Sequence, residues 1–249
     1  PGARAALVTP DRTLAARVTA ALSRYGIVAD DSAGEKLADS PPAVFLRLLA
    51  RAVADRFAPV PLLALLKHPL TAAGLYPAAS RAEARELEMA CLRGPRPPQG
   101  LAGLRIAVDR AKSPRLRAFL AQLEHCLEPA IRIETAVASA LEDALAAIIE
   151  AGERLATTVD TPGPSRLWAG EEGAALAERL AAVQAVTPML PDQRRGVLPG
   201  FLDAVLEGAV VRGRRAVRGR DGAEHPRAFI WGLLESRLQS VERLVLGGL

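Results

Sequence analysis

The stretch that most constrains this chain is its C-terminal one, His225 to Leu249. Ala228 to Trp231 is a short apolar run of β-formers, and Gly232 breaks it. Leu233 to Gln239 is long enough for about two helical turns, with Leu234 and Leu238 on one face. Leu244 to Leu246 is a second apolar run, closed by Gly247 and Gly248. The order reads strand, turn, short helix, strand. Such a unit is part of a parallel sheet and needs further strands and cover on both faces. The good candidates lie about 200 residues earlier, so the residues between read as an insertion.

At the N-terminus Ala5 to Thr9 is a short apolar strand ended by Pro10. Asp11 is placed to cap a helix in which Leu14, Val18, Ala21 and Leu22 recur at helical spacing up to Tyr25. Gly26 stops it, Ile27 to Ala29 forms a second strand, and Asp30, Asp31, Ser32 and Gly34 make a polar turn. Strands near 5–9, 27–29, 228–231 and 244–246 are too short to stand singly and are expected in one sheet.

Ser40, followed by Pro41 and Pro42, starts a helix with the stripe Val44, Phe45, Leu48, Leu49, Ala52 and Val53. Pro61 opens a short helix, Leu62 to Lys67, which His68-Pro69 ends. Further helices are expected near 80–93, 113–128, 135–156, 171–187 and 197–207. Breaks rich in proline and glycine fall at Gly94 to Gly103 and Thr161 to Ser165.

A length of 249 residues fits one or two domains, and 50% hydrophobic residues suffice for a core. No run of 18 apolar residues free of charge marks a membrane span, no signal peptide is visible, and a cytoplasmic protein is expected. Cys91 and Cys126 lack CxxC spacing and read as reduced core thiols. The chain opens Pro1-Gly2 and stops at Leu249 directly after an expected strand, so it reads as a piece of a longer protein. Its +4 charge is carried almost wholly by arginine; the lysines are Lys36, Lys67 and Lys112. The arginine fork suits phosphate, and a mildly basic balance suits nucleic acid.

No GxxxxGKS/T and no GxGxxG occurs, so no complete ATP site is expected within the chain. His68, His125 and His225 are far apart and define no metal site. Glu171-Glu172 and Glu142-Asp143 read as solvated helix starts, and Glu83, Glu86 and Glu88 alternate with Arg81 and Arg85 as on an exposed helix. No catalytic group is expected. Trp168 and Trp231 read as packing residues. The densest charge is Arg212, Arg214, Arg215, Arg218 and Arg220, interleaved with glycine. This tract is either a solvated loop or a contact for the nucleic-acid backbone. Phe229 and Trp231 fall inside an expected strand, which argues against base stacking there. Glu235 and Arg237 form either a polar pair at the sheet edge or an ordinary surface turn.

Leu7-Val-Thr-Pro-Asp-Arg-Thr-Leu-Ala-Ala-Arg-Val18, Tyr25-Gly-Ile-Val28 and Asp30-Asp-Ser-Ala-Gly34 resemble the start of the second motor domain of UvrD-like superfamily 1 helicases. His225-Pro-Arg-Ala-Phe-Ile-Trp-Gly-Leu-Leu-Glu-Ser-Arg-Leu-Gln239 and Leu244-Val-Leu-Gly-Gly-Leu249 resemble a later motif of that domain. The wording is most similar to AddB-type subunits of the bacterial AddAB helicase–nuclease, of the alphaproteobacterial kind. Leu65-Leu-Lys-His-Pro-Leu70 and Leu92-Arg-Gly-Pro-Arg-Pro97 fit the same group. The resemblance covers roughly 5–100 and 225–249.

It implies α/β plus α architecture: a RecA-like parallel sheet (2A-like) interrupted by a mostly helical, 2B-like insertion. The implied divisions are 1–70, 71–224 and 225–249. It implies a helicase-like, motor-inactive region of a DNA double-strand-break repair and recombination subunit that holds or scans DNA. The implied partners are DNA and an AddA-type motor subunit in a heterodimer. The parent family uses ATP, Mg²⁺ and an iron–sulfur cluster in an exonuclease domain; no cofactor is expected in this stretch. The motif-like residues are Asp11, Arg12, Gly232, Glu235, Arg237 and Gln239. Asp11-Arg12 departs from the usual early motif. Gly232-Leu-Leu-Glu235 replaces the usual Gly-Leu-Glu, so ATP contacts are not carried over. The alternative from another class is a scaffold that contacts only the partner subunit.

Overall fold

The computed structural model describes residues 3–211 and 227–248. The chain divides into two compact units, Pro1–Lys36 with Val210–Leu249, and Leu37–Ala209.

The first unit is α/β. It holds β1 (Ala5–Val8), α1 (Arg12–Arg24), β2 (Ala29–Asp31) and β3 (Glu35–Lys36), then β4 (Val210–Val211), β5 (Ala228–Trp231) and β6 (Arg243–Leu246). Four strands form one parallel sheet in the order β2-β5-β1-β6. The apolar runs at the two ends of the chain therefore share a sheet, as their shortness requires. β3 and β4 make a separate antiparallel pair.

Register divides the sheet into two faces. Ala6 lies beside Phe229 and Leu244, and Val8 beside Trp231 and Leu246. On this face Ala6, Val8 and Trp231 are buried, with Phe229 and Val241 against them. Leu7 and Ile230 point the other way, toward the face that α1 covers. There Gly247 leaves no room: a Cβ would fall 2.9 Å from Leu14 Cδ2 and 3.2 Å from Leu7 Cδ1.

Local chemistry sets the ends of α1. The Asp11 carboxylate accepts from Thr13 N at 2.8 Å and Leu14 N at 3.2 Å, so two of the orphan donors are satisfied. Gly26, at φ +72, takes the left-handed conformation that ends the helix.

Two expectations about this unit are corrected. The second strand runs Ala29–Asp31, not 27–29, because Asp30 and Asp31 pair with Phe229 and Ile230; Asp31 also opens the turn, its carbonyl accepting from Gly34 N at 3.1 Å. Residues 233–239 form successive turns and no helix; Ser236 N, Arg237 N and Gln239 N close bonds back to Gly232, Leu234 and Ser236. Leu234 and Leu238 are exposed, so no buried stripe holds a helix together.

The second unit is helical: α2 (Pro41–Ala54), α3 (Pro59–Leu66), α4 (Pro77–Leu87), α5 (Gly100–Ala111), α6 (Pro114–Thr135), α7 (Leu141–Ala156), α8 (Gly163–Leu167), α9 (Gly170–Gln184) and α10 (Leu198–Leu206). α2 is its centre and packs on α3, α6, α7, α9 and α10. Phe45, Leu46 and Leu49 of α2 are fully buried, each contributing about 1.5–3 kcal/mol over exposure.

The helical unit starts at Leu37, so residues 37–70 belong to it and not to the sheet. α2 and α3 are too apolar to serve elsewhere: Leu62, Leu65 and Leu66 are all fully buried. The unit ends at Ala209, short of the 224 expected. α5 falls partly within a stretch expected to be a break; its glycines hide the spacing of Leu101, Leu104 and Val108, all buried. α6 runs to Thr135 through Pro129. Proline has no N–H to give the His125 carbonyl four residues back, and Arg154 Nη1 of α7 donates to that carbonyl at 3.2 Å instead. α7 accordingly begins at Leu141, later than the 135 expected. Ser40 makes no side-chain cap; its hydroxyl donates to Leu37 O at 2.6 Å.

Among the described residues no helix is long and apolar enough to cross a membrane.

Candidate functional site

In the order β2-β5-β1-β6, the connection from β1 through α1 runs to one side, and that from β5 through 232–242 runs to the other. The adjacent strands β5 and β1 therefore flank a topological switch point. Open parallel sheets bind ligands at the carboxyl ends of such strands. Here those ends are Thr9 to Arg12 after β1, Gly232 to Glu235 after β5, and Ser32 after β2.

The motif-like residues Asp11, Arg12, Gly232 and Glu235 all come to this edge. The buried Thr9 donates its N–H to Trp231 O at 3.0 Å, while its Oγ1 accepts from Asp11 N at 3.0 Å. Asp11 is spent on the cap of α1. Arg12 forks onto Asp31, with Nη1–Oδ1 at 3.1 Å and Nη2–Oδ2 at 2.5 Å. That hydrogen bond holds the guanidinium pKa above its usual value, and the Asp31 and Glu235 charges add to the effect. Glu235 closes over Gly232, where a Cβ would lie 2.3 Å from Oε2. Gly232 N also donates to Ser32 Oγ at 3.4 Å.

This edge is poorly built for phosphate. Pro10 removes one N–H, the Asp11 carboxylate already accepts from the start of α1, and two carboxylates, Asp31 and Glu235, act on the one guanidinium of Arg12. Glu235 and Arg237 form no ion pair in the described structure; Glu235 faces Arg12, and Arg237 is exposed.

Gln239 belongs to a second feature, a groove of about 370 Å³ on the face of the sheet that carries Val241. Asp30, Phe229, Trp231, Glu235 and Gln239 line it, with Arg4 at its rim. The Phe229 and Trp231 rings are stacked, with centroids 5.3 Å apart and planes 29° apart. Asp30 is in register with Phe229, so its carboxylate is on the same face. The sequence conceals this groove, because a position inside a strand argues against contact between either ring and a ligand.

Arg212, Arg214, Arg215, Arg218, Arg220 and His225 lie outside the described residues. Trp168 is a packing residue of the helical unit, its indole N–H donating to Glu153 Oε1 at 2.7 Å. Cys91 and Cys126 are free and buried, and burial pushes the Cys126 thiol up to about 11. Both therefore stay protonated and unreactive. His68 is buried against Phe45, its ring Nδ1 accepting from Leu70 N at 3.2 Å. Among the described residues no group of three His, Cys, Asp or Glu side chains is placed to hold a metal ion. Compared with models of known families, with curated proteins and with solved structures, the chain matches none.

Proposed function

We propose that this chain is a helicase-like, motor-inactive region of a DNA double-strand-break repair helicase–nuclease subunit of AddB type. Its work is to hold or scan DNA beside a motor subunit of AddA type. The supporting observation is architectural. Both ends of the chain contribute strands to one parallel sheet, and the residues between, 37–209, fold as a helical unit of their own. Such an organisation supports the 2A-with-2B reading which the motif wording implies. Motor inactivity is supported by the sheet edge, where Arg12 is tied to Asp31.

A second reading, a scaffold that touches only the partner subunit, is favoured by β6. This edge strand exposes Leu244, Val245 and Leu246 by 56–59%. An apolar strand with one free edge is a natural template for another chain.

A salt titration of single-stranded DNA binding separates the two. It compares the chain, in complex with its motor partner, with a variant in which Arg212, Arg214, Arg215, Arg218 and Arg220 are all glutamine. DNA holding predicts weaker binding across sequences and a slope of log K on log salt flatter by roughly 0.7 per lost phosphate contact. A complex that forms normally while this chain adds nothing to DNA affinity establishes the scaffold reading.

A further inference from the structure

The groove on the sheet face has a chemical character that the Arg12 edge lacks. It sets the partly exposed Phe229 ring, inclined at 29° to the buried Trp231 ring, beside polar groups that the fold leaves unused. Phe229 is only partly buried, although it sits inside a strand. Asp30 is half-buried beside it, and neither its carboxylate nor the Gln239 amide makes a hydrogen bond among the described residues. The Asp30 carboxylate is partly open to solvent and free to accept from the N–H groups of a ligand. Arg4 is occupied at the rim, donating from Nη2 to Ser240 O at 3.1 Å and lying 3.8 Å from Glu242.

We infer that this groove takes one nucleobase of a single DNA strand, its ring against the exposed side of Phe229 and its N–H edge toward Asp30 and Gln239. The inference rests on the DNA-holding reading above. About 370 Å³ lies near the lower end of small-ligand sites, roughly 300–1,000 Å³, and suits one base and little more. Asp30 and Glu235 repel phosphate, so the ring enters and the backbone stays outside. The carboxylate accepts from amino groups and ring N–H groups. Adenine and cytosine offer an amino group there, and thymine offers only its single ring N–H. Base stacking on aromatic rings otherwise tolerates any base, so Asp30 is the source of preference.

The test uses Trp231 fluorescence in a Trp168→Phe background and, independently, fluorescence anisotropy of labelled 15-mers of dA, dC and dT. Circular dichroism checks that each variant is folded. Expected are quenching of Trp231 and binding of dA and dC at least about fivefold tighter than dT. Phe229→Leu should weaken all three by about 5- to 100-fold, the range that stacking one base spans. Asp30→Ala, which removes the acceptor, should abolish the preference while leaving dT binding nearly unchanged. Adenosine and thymidine form the second arm. Adenosine that binds as tightly as the dA 15-mer overturns the assignment to a strand and makes the site one for a free nucleoside. Strand binding that neither variant alters, with no Trp231 response, overturns the groove but leaves DNA holding intact. No strand binding by any variant, with adenosine still quenching Trp231, overturns DNA holding and the strand assignment together.

Discussion

Arg12 and Asp31, nineteen residues apart, meet in a two-point fork of 3.1 and 2.5 Å across the carboxyl edge of the sheet. The helix start supplies the guanidinium and β2 the carboxylate. An arginine so engaged is not waiting for a phosphate; it closes the edge of its own sheet. The consequence is tested by ATP hydrolysis. Turnover by the chain alone should stay at background, since phosphoryl transfer needs a phosphate cradle and a metal-ligand set. Arg12→Ala should cost only about 0.2–1 kcal/mol in urea unfolding, as for other exposed pairs. Turnover that Arg12→Ala or Glu235→Gln abolishes would make these residues part of a nucleotide site.

The pair Arg56 and Glu134 is a different case, because Glu134 is 4% exposed. Its Oε1 accepts from Arg56 Nε at 2.6 Å, and Arg56 Nη1 donates to Gln99 Oε1 at 2.7 Å. Arg56→Ala strands a buried carboxylate and should destabilise the helical unit by about 3–5 kcal/mol. Arg56 also sits at φ +53. Arg56→Gly relieves that conformation and should therefore be about 1 kcal/mol less damaging than Arg56→Ala. Equal losses in chemical denaturation would show that the backbone carries no strain there.

His68 makes the helical unit sensitive to acid. Burial lowers its pKa from 6.5 to about 4. The unfolded chain takes up a proton as pH falls below about 6.5, and the folded one does so only near 4. The neutral ring therefore contributes stability above pH 6.5, and this is lost as pH falls through that window, by at most about 3 kcal/mol. His68→Phe should flatten the pH dependence of the melting temperature between 6.5 and 4. An unchanged profile would assign the acid sensitivity to carboxylates, which titrate lower.

Arg166 has carbonyls as its partners. Nη1 donates to Leu70 O at 3.0 Å and to Ala156 O, and Nη2 donates to Pro69 O at 3.3 Å. It ties the last turn of α7 to the loop after α3. Lysine cannot span this fan of acceptors. Arg166→Lys should cost about 2–3 kcal/mol. Hydrogen exchange should show the loss concentrated around 69–75 and 154–157; uniform loss of protection would contradict the local role.

Much of this architecture was legible because it is written locally. Asp11 caps α1, Gly26 ends it, and the apolar runs at 5–9, 228–231 and 244–246 have no stable form except in a shared parallel sheet. Period and punctuation also placed most of the helices. Where they failed, the cause was contact with distant residues. Pro129 does not end α6, because Arg154 supplies the missing donor to His125. Asp30 and Asp31 are strand residues because Phe229 and Ile230, about two hundred positions on, pair with them. The same holds for the sites. The residue types at Arg12, Glu235, Phe229 and Trp231 could be read in order along the chain. Only the strand order brought Arg12 onto Asp31 and set the two rings beside Asp30, because register in a sheet depends on partners that no local pattern encodes.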